Sequence, residues 1–164
     1  MDSDVYDILV LCFRDAVNVK IPNFIKKIES YAFENCKKIQ SLEISNDSQL
    51  ESIGRRIFNK SSIECFTITK NLIYNKEECF YGASKLSRIN VDPMNPKYIL
   101  LQDKIIISKS SIESKNYDIL VTVLNGIKHV TIPISIKKIE PFAFMNCSEL
   151  QTVFIPINSE LEVI

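Results

Sequence analysis

The chain has 164 residues, enough for one domain with a sizeable core, and 46% of them are apolar, which excludes a disordered chain. Twenty Lys and Arg balance twenty Asp and Glu, so no basic field draws in nucleic acid or anionic lipid. Trp is absent, Gly numbers only three, and Ile is the dominant apolar residue; its stiff, branched side chain suits pleated, half-buried strands.

The N-terminus, Met1-Asp2-Ser3-Asp4, is acidic, and only the short stretch Ile8 to Phe13 after it is apolar. That is not a secretory signal peptide. No apolar run is long enough to span a bilayer, so no membrane insertion of this segment is expected.

A short period then sets in. Phe33 is followed by Ile39, Leu42 and Ile44, at steps of six, three and two. Phe80 leads Leu86, Ile89 and Val91, and Phe144 leads Leu150, Val153 and Ile155, at the same steps. Phe58 leads Ile63, Phe66 and Ile68 with the first step one residue shorter. Ahead of each Phe stands an Ile: Ile28, Ile53, Ile73 and Ile139. Such modules of roughly 20 to 25 residues have leucine-rich-repeat length, and about four to five of them fit the chain. Within Leu42-Glu43-Ile44 apolar and polar residues alternate, as in a strand with one face buried. One module cannot bury its Ile, Leu and Phe alone, but stacked modules can, like residue above like. The spacing predicts a repeat solenoid with Leu42, Phe66, Ile89 and Val153 in one buried column, and with Phe33, Phe58, Phe80 and Phe144 as core plugs.

After the third of these modules the pattern breaks. Asp92 to Lys97 carries Pro93 and Pro96 and reads as a turn-rich link. Tyr98–Leu101 and Ile105–Ser108 around Gln102-Asp103-Lys104 read as a hairpin. Lys109 to Asn116 is polar and reads as an exposed loop. Ile119–Leu124 and Ile127–Ile132 flank Asn125-Gly126, the strongest short hairpin signal in the chain, whereas Arg14-Asp15 stands at the matching earlier point and must turn differently.

Those matching points belong to a duplication. Tyr6-Asp7-Ile8-Leu9-Val10 recurs at Tyr117-Asp118-Ile119-Leu120-Val121, and Ile25-Lys26-Lys27-Ile28-Glu29 recurs at Ile136-Lys137-Lys138-Ile139-Glu140. At this constant offset of 111, 23 of 48 aligned positions are identical, which chance does not give. The whole chain, 1–164, therefore reads as a single solenoid in which Tyr6–Ile53 is duplicated as Tyr117–Ile164. Its last residue, Ile164, aligns with Ile53 midway through a module. That predicts either a fragment or a capping partner, since an unfinished edge invites aggregation.

Chemical candidates are few. His129 is the only histidine and reads as a strand residue, which removes Ser-His-Asp and Cys-His mechanisms. No GxGxxG, P-loop or HExxH motif occurs. Glu77-Glu78 and Asp2/Asp4 read as solvated faces, as do Lys26-Lys27 and Lys137-Lys138 between buried Ile positions. Cys12, Cys36, Cys65, Cys79 and Cys147 are odd in number and lack CxxC spacing, which argues against a disulfide or zinc framework and for reduced, mostly buried thiols. Cys36 and Cys147 occupy equivalent bends in different modules and should stand apart. Three glycosylation sequons, at Asn46, Asn59 and Asn146, are close to chance in an Asn- and Ser-rich chain. Catalytic residues, cofactor and metal ligands are all expected to be absent.

The segments Ile21-Pro22…Ile25-Lys26-Lys27-Ile28-Glu29…Ala32-Phe33-Glu34-Asn35-Cys36…Ile39-Gln40-Ser41-Leu42-Glu43-Ile44 and Ile132-Pro133…Ile136…Ile139…Ala143-Phe144-Met145-Asn146-Cys147…Leu150…Val153-Phe154-Ile155-Pro156 resemble the BspA-type leucine-rich repeat. In the middle modules Ile57-Phe58 and Cys79-Phe80 replace the Ala-Phe pair, and Glu29 and Glu140 stand where the family usually has Gly. The resemblance implies a β-rich, right-handed superhelix of short parallel strands with an inserted hairpin after Asn95-Pro96-Lys97-Tyr98. It also implies a surface or secreted protein of adhesive type, no catalytic residues, and packing roles for Cys36 and Cys147. The alternative is an intracellular or structural scaffold with no host ligand, and a cytoplasmic location fits that reading; an enzyme ranks third.

A protein partner, such as a host-cell or matrix protein, would meet the outward strand residues, because strand side chains alternate. These are Ser41 and Glu43, Cys65 and Thr67, Arg88 and Asn90, and Thr152 and Phe154. Arg88 and Phe154 are the best anchors, since Arg and aromatics dominate interface hot spots. The successive strands are expected to form one parallel sheet with a continuous face.

Overall fold

A computed structural model describes residues 7–162. The acidic start with Asp2 and Asp4, the first residue of the duplicated unit, Tyr6, and the last, Ile164, lie outside the described residues. In chain order the strands are β1 (Ile8–Leu9), β2 (Asn18–Ile21), β3 (Lys27–Ile28), β4 (Ser41–Ile44), β5 (Ser52–Ile53), β6 (Cys65–Ile68) and β7 (Tyr74–Asn75). They continue as β8 (Arg88–Val91), β9 (Tyr98–Leu101), β10 (Ile105–Ser108), β11 (Ile119–Val123), β12 (His129–Thr131), β13 (Lys138–Ile139) and β14 (Thr152–Phe154).

The chain winds as a solenoid of parallel strands. The two-residue strands β1, β3, β5 and β7 stack in that order as one parallel sheet; β3 and β5 carry the Ile step of the sequence module, and β7 begins one residue after Ile73. On another side the longer strands pair in parallel as β2 with β4, β6 with β8, and β12 with β14. The expected single sheet is thus three pairs. β4 and β6 lie side by side without a hydrogen-bonded ladder. The starts of paired strands are 23 residues apart (18 to 41, 65 to 88, 129 to 152), whereas Ser41 to Cys65 is 24, so the break coincides with the one module of altered spacing.

Between successive long strands the chain turns through a bend with two left-handed residues four apart: Tyr31 and Asn35, Arg56 and Lys60, Glu78 and Gly82. Most of these are not glycine, and each such residue costs of order 1 kcal/mol or more, so stacking must hold the bend in place. It does so through bonds between bends, such as Tyr31 N–H to Arg55 O at 3.0 Å and Arg56 N–H to Glu78 O at 3.0 Å. Glycine is required at one step before the bend: a Cβ on Gly54 would lie 2.3 Å from the Ser30 nitrogen. Glu29 and Glu140 fill the matching step without a positive φ.

Inside the turns, Phe33, Phe58 and Phe66 are fully buried, and Phe80 nearly so. They form a spine with ring centroids 5.6, 5.2 and 6.0 Å apart. Phe66 and Ile89 are buried as expected, and Leu42 is half-buried against the same core. Two expectations fail at the C-terminal end. Val153 is 41% exposed and Phe144 is only half-buried, because no described turn is stacked beyond them.

The hairpin of β9 and β10 is present, turning through left-handed Gln102 and Asp103. Asn95, buried in the link before it, ties it down: its amide donates to Thr69 O and Leu72 O at 2.7 and 2.9 Å, while its oxygen accepts from the Lys97 and Tyr98 amides. The expected hairpin at Asn125-Gly126 is absent. A turn is there, with Gly126 at φ 84°, but β11 pairs antiparallel with β10 and parallel with β13, while β12 leaves to pair with β14. Burial of β11 between two neighbours outweighs the local turn signal. Lys109 to Asn116 forms the expected exposed loop.

The interior is divided in two by this β9–β11 wall. Ile106, Val121 and Leu124 belong to the first core, while Ile105, Ile107, Leu120 and Val123 belong to the second. Strand alternation sends one set of side chains to each side.

Candidate functional site

The outward residues of the longer strands lie where alternation puts them. Ser41, Glu43, Arg88, Asn90, Thr152 and Phe154 are exposed, and Cys65 and Thr67 are half-exposed. The registers bring them into cross-strand rows: Asn18 beside Ser41, Lys20 beside Glu43, Cys65 beside Arg88, Thr67 beside Asn90. Across the wall, His129 stands beside Thr152 and Thr131 beside Phe154. The structure therefore gathers Ser41 and Glu43 in one patch, and Thr67, Arg88 and Asn90 in a second. Thr152 and Phe154 form a third, on the far side of the insertion.

The patches are partly self-satisfied. Ser41 donates to Asn18 Oδ1 at 2.8 Å, and Lys20 pairs with Glu43 at 3.3 Å. Both partners of that ion pair are well exposed, so it contributes little to stability. Arg88 Nε donates to Cys65 Sγ at 3.3 Å and Asn90 Nδ2 to the same sulfur at 3.6 Å. The contact with Cys65 raises the Arg88 pKa further. An open groove runs beside the second patch, lined by Thr67, Asn90, Asn46, Lys70, Asp92 and Met94. Sequence reasoning missed Asn18, Lys20, His129 and Thr131 as members of this face. The signal was available: stepping back 23 residues from Ser41, Glu43, Thr152 and Phe154 lands on each of them.

A second polar cluster sits on the bends. Arg55 and Arg56 both donate to Glu78 Oε2, at 3.0 and 2.8 Å, and hold its carboxyl below the usual range. The Arg56 guanidinium lies 4.0 Å over the Tyr81 ring, which meets Phe142 edge-on at 4.8 Å between centroids. Beneath them a partly open cavity of about 10 Å³, room for one water, is lined by Asn75, Cys79, Thr122 and Glu140. Burial pushes the Glu140 carboxyl up despite Lys138 at 3.5 Å, and its Oε2 has no partner. Glu77 takes the other ion pair of Lys138, at 2.8 Å. These contacts lie at the junction of the two cores. His129 lies on exposed β12. Among the described residues no group of three or more His, Cys, Asp or Glu could hold a metal ion, and no helix is long and apolar enough to cross a membrane.

Comparison with known proteins agrees with this architecture. The chain is similar in fold to the pneumococcal vaccine antigen PcpA, at 19% identity and a TM-score of 0.79 over 88% of this chain and 35% of that one. It is likewise similar to a leucine-rich cell surface protein from Faecalibacterium prausnitzii A2-165, at 20% identity and a TM-score of 0.73 over 87% of this chain and 36% of that one. A leucine-rich repeat protein from Eubacterium ventriosum matches at 19% identity and a TM-score of 0.66, over 87% of this chain and 42% of that one. The chain thus spans well under half the length of each. No curated protein sequence matches it. The BspA type leucine rich repeat region matches in six copies over residues 11–125 and 101–164, nearly the whole sequence. With its steps, bends and inserted hairpin accounted for, the chain belongs to the BspA-type leucine-rich-repeat family.

Proposed function

We propose that the chain is a non-enzymatic protein-binding module of a surface-displayed repeat protein, acting as one solenoid domain through Ser41, Glu43, Thr67, Arg88, Asn90, Thr152 and Phe154. One observation carries this reading: these side chains are exposed, Thr67 half so, and differ from module to module, while the positions between them stay apolar. The named surface protein among its structural relatives supports display outside the cell. Scaffold use without a host ligand is the second reading, favoured by the contacts that Ser41, Glu43 and Arg88 make within the face itself.

The test is binding of the folded chain to host cells and to immobilised matrix proteins, wild type against an R88A/F154A double variant. Removing two anchors of about 2 kcal/mol each should weaken affinity by a hundredfold or more. Unchanged binding by the double variant rules out these anchors, and no binding by the wild type favours the scaffold.

A further inference from the structure

Two of the cysteines share one spot. Cys12 follows β1, and Cys36 closes the bend after β3, in the next turn. The Cys12 amide donates to Ala32 O at 2.8 Å, which fixes it against that bend. Both sulfurs then approach one acceptor, the carbonyl of Phe13, at 3.7 Å for Cys12 and 3.9 Å for Cys36. The two thiols also lie close enough to shift each other's ionisation. Cys36 is fully enclosed, whereas Cys12 is 9% exposed beside Phe13, whose ring is 88% exposed. The other three cysteines have different surroundings. Cys65 lies on the outer face against Arg88, and Cys79 lies beside Asn75 at the junction. Cys147 approaches the carbonyls of Val123 and Leu124, as Cys36 approaches Phe13, but Val123 stands where the first unit has Cys12.

We propose that Cys12 and Cys36 form a disulfide that staples the first turn of the solenoid to the second when the chain meets a disulfide oxidant of the glutathione class. The Cys12 thiolate attacks the oxidant's S–S bond and expels one thiolate. The Cys36 thiolate then attacks the Cys12 sulfur of that mixed disulfide and expels the second. The protein loses two thiol protons and two electrons, and the oxidant leaves as two thiols. The bond would lock β1, which is held to β3 through only two residue pairs. Burial pushes both thiols up, Cys36 to about 11, so the folded chain should react slowly near neutral pH and faster as pH rises.

The whole chain would be treated with oxidised glutathione in two ways, folded at raised pH and during refolding in glutathione buffer. Peptide mapping without reductant should find the Cys12 and Cys36 peptides linked, with two hydrogens lost, while Cys65, Cys79 and Cys147 remain alkylatable after denaturation. C12S and C36S should each abolish the link. V123C should add a second bond, to Cys147, because it restores the same pairing in the second unit. The linked chain should unfold at a higher temperature than the reduced one. Five free thiols under both treatments, a mixed disulfide that persists at Cys12, or a bond from Cys36 to any other cysteine would overturn the proposal. A linked chain that unfolds no later than the reduced one would overturn the stapling.

Discussion

The two duplicated units carry the same Ile-Lys-Lys-Ile-Glu and Ala-Phe segments, yet those residues stand in different surroundings. Phe33 is fully buried under the next turn's Phe58, and its counterpart Phe144 is half-buried. Ile44 is 9% exposed and its counterpart Ile155 is 44% exposed. Glu29 pairs with Lys27 and its carboxyl is lowered, first by that hydrogen bond; Glu140 is drawn into the junction and its carboxyl is raised, first by burial. Identical letters thus fix where strands and bends fall, while energy depends on what is stacked above and below. In a solenoid each turn is half of its neighbour's core.

The sharpest way to break this comparison is to truncate the two plugs. Phe33→Ala should cost about 3–5 kcal/mol in urea unfolding, and Phe144→Ala roughly half of that or less. Equal losses would mean that stacking does not set the burial. A smaller effect concerns the position shared by Cys36, Ser61, Ala83 and Cys147 at the end of each bend. The Ser61 hydroxyl is buried without a partner, whereas Cys36 is hydrogen-bonded. Ser61→Ala should therefore stabilise by about 1 kcal/mol, while Cys36→Ala should destabilise. Loss of stability in the Ser61 variant would show that its hydroxyl has found a partner, such as a bound water.

The smallest effect is the most diagnostic, because its sign reverses between the units. Glu140 has its folded pKa above the unfolded value, so a penalty exists at neutral pH and fades as pH falls through the folded pKa towards the ordinary glutamate range. Its surroundings supply Lys138 and Lys97 on the favourable side and Glu77 on the unfavourable. Glu140→Gln should stabilise at neutral pH and lose that advantage in acid. Glu29 has its folded pKa below the unfolded value, so its contribution is present above the ordinary range and is lost as pH falls through the folded pKa. Glu29→Gln should destabilise slightly at neutral pH. Parallel pH profiles for the two variants would erase the distinction.

Much of this fold was legible in the sequence because solenoid strands repeat their contacts at short range. The steps from Phe33 to Ile44 recur, and each recurrence became a bend and a strand. The β9–β10 hairpin was equally clear from two apolar runs around Gln102 and Asp103. What escaped depends on the third dimension. Asn125-Gly126 reads as a hairpin locally, but β11 has better partners on both sides. Asn95 sits among prolines like any turn residue, and only the packed structure shows its amide holding two turns together. The exposure of Val153 follows from the absence of a described neighbour, which its own spacing cannot register. The outward face was predicted residue by residue, but its division into patches came from a one-residue change in spacing and from the insertion.

The wall of β9, β10 and β11 also bears on how the molecule comes apart. Strands in an ordinary solenoid sheet offer apolar side chains on one side only, so turns can peel from an end one after another. Here Ile105, Ile106 and Ile107 commit one strand to both interiors at once. Loosening either half strips one face of a strand that the other half still needs. Such a strand should act as a mechanical coupling, so that two stacks that could melt separately are expected to unfold as one cooperative unit under heat or load.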